Sequence, residues 1–343
     1  MRASTSSVVE VFYDRSGDSV EVLPRFCVDE GLVRVEGSPR MGRGISLIDQ
    51  MKRKPDSTIC FWRSYALGDI LLLTPIFNQL KETYPACTIL LATASRFIEV
   101  FKYWDKVGTA DKRTVAHRHY DIGYHLDGIV ERDHTGEPWS HKHRLDLYCD
   151  FLGIPAPKDP LFSLPYGEDE RRWAEELTTG LRLKEKPIVV MQLFGSKPIK
   201  SFPPGKVERI ARKLSYVYTV ILVHSHSGEI DGEAVDLSGK TTVHELAAVI
   251  DCADAVVTMD SGVLWVAHAT QTPVVALLGP TREPERLSYH RNHRVVNLSK
   301  MVGCEPCFER RTRCGGTIDC MIESDEAQIV AEIEDAVRGL TYS

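Results

Sequence analysis

The sequence predicts an α/β chain built as two doubly wound halves, and three observations carry that expectation. With 343 residues, 43% of them hydrophobic, the chain exceeds one ordinary core and suits two domains of roughly 150 residues each. From residue 58 onward, short Val/Ile/Leu-rich runs alternate with amphipathic stretches, the pattern of βαβ units around a parallel sheet buried on both faces. A proline-rich stretch, GIPAPKDPLFSLPYG (153–167), interrupts that alternation and cannot be helix or inner strand. The expected division is a β-rich extension and linker over 1–57, a first Rossmann-like domain over 58–165 and a second over 166–343.

At the amino end, VVEVFYD (8–14) and SVEVL (19–23) flank Arg-Ser-Gly-Asp and predict a hairpin, and LVRVEG predicts a further strand. MKRKPDS (51–57) reads as a linker. The first half then offers strands TICFW (58–62), TILLAT (88–93) and YDIGYHL (120–126), with helices near 69–83, 95–104 and 140–152. The second half offers strands KPIVVMQL (186–193), TVILVH (219–224), ADAVVTMD (253–260) and TPVVALLG (272–279), with helices over 205–216, 242–251 and 262–270. SDEAQIVAEIEDAVRGL opens with a capping serine and acids, so it closes the chain as a helix.

Bulk charge narrows the partners. A net charge of -6 gives no general attraction to a phosphate backbone and disfavours nucleic acid. The amino end lacks the apolar core of a signal peptide, and no apolar run reaches the roughly 20 residues that span a bilayer, so a cytoplasmic protein without a membrane span is expected. Of nine cysteines, five are scattered and four crowd together as Cys304, Cys307, Cys314 and Cys320. Reduced thiols with a possible structural zinc or iron at that cluster fit better than a disulfide framework; four thiolates leave no open position for catalysis.

In doubly wound sheets ligands bind beyond the carboxyl ends of the strands, which gives two addresses. Gly68 and Asp69 follow the first strand. Glycine permits close backbone approach, and Asp69 is either a helix cap or a base at the mouth of the sheet. Asp260, Ser261 and Gly262 open a helix after ADAVVTM, where free N–H groups favour a diphosphate; Ser261, Gly262 and Thr281 are candidate phosphate contacts and Asp260 a positioning group, unless they only cap. Lys197, Lys200 and Arg282 are candidate cations for a departing nucleoside diphosphate. Neither GxGxxG nor GxxxxGK[ST] occurs in the required context, which removes the usual signatures of NAD-dependent and P-loop chemistry.

The segments ALGDILLLTPIFNQLKETYP, DLSGKTTVHELAAVIDCADAVVTMDSG and TPVVALLGPT, followed by the cysteine cluster, together resemble the heptosyltransferases, glycosyltransferase family nine, over residues 58 to about 337. The resemblance implies a GT-B fold of two Rossmann-like domains facing a cleft, here with a β-rich amino-terminal extension. It implies metal-independent, inverting transfer of a heptose or hexose from an ADP-, GDP- or UDP-linked donor to an acceptor hydroxyl of a glycan or lipopolysaccharide, with no cofactor needed for catalysis and Asp69 as general base; the acceptor partner is then a glycan, a lipid-linked glycan or, on the alternative reading, a protein. Donor contacts would come from Ser196, Lys197, Lys200, Asp260, Ser261, Gly262, Thr281 and Arg282. The sequence departs from the family at Trp265, where a histidine is usual; His268 then stands as a partial substitute, and both join the donor-side candidates. His224 and His226 occupy a turn that is usually glycine-rich. Residues 1–57 have no recognised counterpart. Transfer to protein or to a modified DNA base, and a non-catalytic nucleotide-sugar scaffold, are the competing readings.

Overall fold

The computed structural model describes residues 46–112, 120–130, 142–182, 185–224, 234–307 and 317–341, with the backbone of short strands between 7 and 27. Those short strands are β1 (Ser7–Val8), β2 (Val11–Tyr13), β3 (Ser19–Val22) and β4 (Phe26–Cys27). β2 and β3 pair antiparallel as the expected hairpin, and β1 pairs with β4. LVRVEG lies outside the described residues.

Contact density divides the chain into two compact units, Met1–Tyr65 with Ile76–Arg132 and Leu147–Pro157, and Ala66–Pro75 with Asp133–Asp146 and Lys158–Ser343. The first contains helix α1 (Leu47–Arg53) and a parallel sheet of β5 (Thr58–Trp62), β6 (Thr88–Thr93), β7 (Val107–Asp111) and β8 (Ile122–His125), in the order β7-β6-β5-β8. The first residues of the expected linker, Met51 to Arg53, are therefore helix: Ser46 caps it by accepting from the Asp49 N–H, and Leu47, Gln50 and Met51 turn inward. The stretch expected to be helical near 95–104 is instead a 3₁₀ turn over Ser95–Phe101.

The second unit holds β9 (Ile188–Gln192), β10 (Thr219–Leu222), β11 (Val235–Asp236), β12 (Ala255–Met259), β13 (Val274–Leu278) and β14 (His293–Asn297). Among the described residues they form one parallel sheet in the order β11-β10-β9-β12-β13-β14, the doubly wound Rossmann arrangement. Its helices include α2 (Leu67–Leu71), the start of α3 (Thr74–Thr83), the first turn of α4 (Arg144–Leu152), α5 (Glu168–Arg182), α6 (Pro204–Ser215), α7 (Val243–Asp251) and α8 (Gly262–Thr270). The short α9 (Pro284–Leu287), α10 (Leu298–Met301) and α11 (Asp319–Ile322) precede the terminal α12 (Glu326–Thr341).

The single helix expected over 69–83 is broken into α2 and α3. Pro75 supplies no N–H, and Thr74 covers the break by donating to the Leu71 carbonyl at 2.7 Å. On one face of the larger sheet, Val207, Ile210 and Leu214 of α6 and Ile329, Ile333 and Val337 of α12 pack with alternate strand residues such as Val189, Met191, Val257 and Leu277. Parallel strands buried on both faces need such continuous apolar sequence, and β9, β12 and β13 are buried at every position. α7 is closed by a capping box between Thr242 and Glu245.

Candidate active site

β9 and β12 are neighbours from which the strand order runs in opposite directions, so the crevice beyond their carboxyl ends is the topological switch point of the larger sheet. At that end Thr258 donates to Gln192 at 2.9 Å, tying the two strands together. After β9 the chain turns back sharply through 194–201. A side chain on Gly195 would meet the Lys200 carbonyl at 2.5 Å, so only glycine fits there, and Ser201 cross-links the loop to Gly195 and Lys197. This loop delivers Lys200.

After β12, Asp260 gathers three donors: Lys200 Nζ at 2.7 Å, the Thr281 hydroxyl at 2.8 Å and Arg286 Nε at 3.0 Å. Burial opposes its charge, but Arg286, then Lys200 and Arg144, hold its carboxyl well below the usual range. Burial in turn lowers the proton affinity of Lys200, with Asp260 opposing. Arg286 is fully buried and charged, since guanidinium stays protonated in proteins. Glu285 is buried beside it, with Arg286 Nη1 3.7 Å from its carboxylate; burial pushes its carboxyl pKa up, and neither oxygen accepts a hydrogen bond among the described residues.

Asp69 belongs to this same unit. α2 packs on α8, with Leu67 against Gly262, and Gly68 is pressed so closely by Trp265 that a Cβ there would lie 2.0 Å from the indole Cδ1. Ala66, which opens α2, has φ of 65°, a left-handed conformation that costs a non-glycine residue of order 1 kcal/mol or more. Asp69 is 3% exposed and accepts from Arg144 Nη1 at 2.7 Å. It lies in the first turn of α2 but is not its cap; Ala66 is, with no side-chain cap bond.

Ser261 does cap: its hydroxyl accepts from the Val263 N–H at 3.2 Å and lies 3.2 Å from Thr258 Oγ1. Thr281 spends its hydroxyl on Asp260. Lys200, Asp260, Ser261 and Thr281 thus come together with the adjacent Gly262, and Arg286, Glu285 and Arg144 join them unforeseen. Ser196 and Lys197 lie exposed on the β9 loop, and Arg282 is half-buried beside Thr281. His224 stacks edge-on against Phe194 at 5.0 Å, and His226 lies outside the described residues.

Trp265 and His268 have different surroundings from those expected of donor contacts. They are buried in an aromatic cluster with His143, Phe162 and His290. Neither ring nitrogen of His268 has a hydrogen-bond partner among the described residues, and burial drives its pKa well below the usual imidazole value. Among the described residues no three His, Cys, Asp or Glu side chains come together to hold a metal. Cys304, Cys307 and Cys320 do not assemble such a set, and Cys314 lies outside the described residues. No described helix is long and apolar enough to cross a membrane.

Residues 142–318, just over half of the chain, match glycosyltransferase family 9 (heptosyltransferase). The chain is 34% identical over 145 residues to lipooligosaccharide heptosyltransferase 2 of Haemophilus influenzae, a match covering 37% of this chain and 41% of that protein. In that match the chain therefore spans about two fifths of the curated relative's length. Among solved structures, ADP-heptose LPS heptosyltransferase II of E. coli superposes with a TM-score of 0.59 at 17% identity, over 82% of this chain and 98% of that one. The iron-containing dodecameric glycosyltransferase TibC of enterotoxigenic E. coli gives 0.61 at 18% identity, over 84% and 80%. The fold is GT-B. On the family match, the chain belongs to glycosyltransferase family 9, the heptosyltransferases.

Proposed function

We propose that this protein is an inverting glycosyltransferase that moves a heptose or related sugar from a nucleoside diphosphate donor to a hydroxyl of a lipopolysaccharide-type glycan. The observation that carries the reading is the gathering of Asp69, paired with Arg144, and of Asp260, held by Lys200, Thr281 and Arg286, within one Rossmann-like unit. In the proposed step Asp69 takes the proton of the acceptor hydroxyl as that oxygen attacks the anomeric carbon. The bond to the diphosphate breaks on the opposite face, and the configuration inverts. The N–H groups at the start of α8 and the cations around Asp260 offset the charge on the leaving diphosphate. Asp260 acts by aiming Lys200, which would otherwise be a flexible ammonium, and no metal is required. The division of labour is acceptor side within 58–165 and donor side within 166–343.

ADP-heptose is the first donor to try, because the E. coli relative is named for it. Incubation with ADP-, GDP- and UDP-linked sugars, followed by mass spectrometry of glycan acceptors, tests the reading. Transfer from one donor class supports it; binding of nucleotide sugars without transfer to any glycan, protein or DNA acceptor favours the scaffold reading. A structural metal at Cys304, Cys307, Cys314 and Cys320 is a separate proposal, supported by the soft-ligand chemistry of four thiols and by the iron named for TibC. About one iron or zinc per chain in elemental analysis supports it, and metal-free folded protein removes it.

A further inference from the structure

Arg144 lies outside the quoted family-like segments, near the start of the stretch that matches the family. It is the first residue of α4, 75 positions from Asp69, and its Nη1 donates to Asp69 Oδ1 at 2.7 Å. The pair is largely removed from solvent, with the arginine side chain 13% exposed and the aspartate 4%. An ion pair so placed is unlike a surface bridge, because water neither screens it nor competes for the two groups, and either partner left alone is a buried uncompensated charge. The guanidinium also acts electrostatically on Lys200, Asp260, Glu285 and Arg286, so it bears on both the base and the donor cluster.

The packing around α2 fixes the backbone beneath the base. Ala66 is held in a left-handed conformation at the head of α2, and Trp265 leaves no room beyond the Gly68 Cα. These contacts set where the Asp69 Cα lies but do not choose the carboxylate rotamer. We propose that Arg144 is the positioning residue for Asp69: it fixes the orientation of the ionised carboxylate toward the acceptor hydroxyl, and it acts on turnover through Asp69 rather than by binding donor or acceptor itself. This inference rests on the reading of Asp69 as the general base.

A double-mutant cycle tests it, using Arg144→Gln, Asp69→Asn and the pair on the full chain. Transfer is measured by mass spectrometry, and folding and donor binding are measured by thermal shift with and without ADP-heptose. Arg144→Gln is expected to lower kcat about 10²-fold, the loss typical of a misplaced reacting group, while the KM for donor and the donor-induced shift stay within about threefold of wild type. In the Asp69→Asn background the same substitution is expected to change the residual rate by less than about threefold, because groups acting as one unit are not additive. Arg144→Lys keeps the charge and is expected to recover part of kcat; it carries the cycle if the glutamine variant does not fold. The proposal is overturned if Arg144→Gln leaves kcat unchanged, if its effect appears in the donor KM instead, or if the two losses multiply. Full turnover by Asp69→Asn alone sinks the base reading itself, a result distinct from all three.

Discussion

A methyl group on Gly68 would lie 2.0 Å from Cδ1 of Trp265 and 2.5 Å from its Nε1, so α2 or the indole must move to accept one. Overpacking of this kind typically costs about 1–3 kcal/mol, and here the displaced element carries Asp69. Gly68→Ala is expected to lower stability by that amount and transfer about 10²-fold. Trp265→Ala added to it opens the space and should restore much of the transfer rate but not the stability, since truncating a buried indole itself costs about 3–5 kcal/mol; thermal melts and transfer assays measure the two, and an innocuous Gly68→Ala would show that the base needs no such fit. From sequence, Gly68 was legible as a place of close approach, but what approaches it was not, because Trp265 is nearly two hundred residues away. Arg286 and Arg144 were hidden for the same reason. An arginine in a polar stretch looks solvated, and only the fold shows Arg286 fully buried against Asp260.

His268 offers a prediction with a defined sign. Burial lowers its proton affinity, and its neighbours His143 and His290 are pushed down to about 3 and about 4. The unfolded chain takes up protons near pH 6.5 that the folded chain refuses, so stability is full above that pH and is lost as pH falls from about 6.5 toward 4. His268→Phe removes one refused proton and two unpartnered buried nitrogens. It should flatten the fall in melting temperature over that window while leaving stability at pH 7.5 within about 1 kcal/mol of wild type or above it. An unchanged slope would mean that His268 is protonated or solvated in the folded protein.

At the scale of elements, sequence located the inner strands of both sheets from their continuous apolar runs, and the edge strand β8 as well. Of the strands missed, β7, β11 and β14 end their sheets, and edge positions demand less apolar sequence. α5 escaped notice because EDERRWAEELTTGLR is mostly charged and fully buries only Ala174 and Thr178, with Trp173, Leu177 and Leu181 half-buried beside them. α6 shows an unexpected tie to the carboxyl end. Lys206, inside that helix, is buried and donates to the carbonyls of Met321 at 3.1 Å and Ser324 at 2.6 Å and to the Ser324 hydroxyl at 2.9 Å. Its ammonium thus satisfies acceptors at the end of α11. Lys206→Met fills the same space but strands those acceptors, so a loss of about 1–3 kcal/mol is expected in denaturant titration. A neutral effect would mean that the segment relaxes to water.

For the whole molecule, sequence disclosed the α/β class, the two series of βα units and the family, because motif order survives where overall identity is low. It did not disclose how the motifs are distributed between compact units. Residues 66–75, written between two strands of the first sheet, cohere with the second unit, and this brings Asp69 into the company of Asp260. A donor bound there stabilises that unit by mass action, about 2.7 kcal/mol at one hundred times its Kd. A rise in melting temperature is expected with one class of nucleotide sugar. The same rise with all nucleotides alike would place recognition in the phosphates alone.

The most direct test is the transfer rate of Asp69→Ala, with folding and donor-induced thermal shift measured on the same sample. A loss of about 10²- to 10⁴-fold in turnover, with fold and donor shift retained, is the expected result. Undiminished transfer by that variant would contradict the assignment of Asp69 as the base and the mechanism built on it.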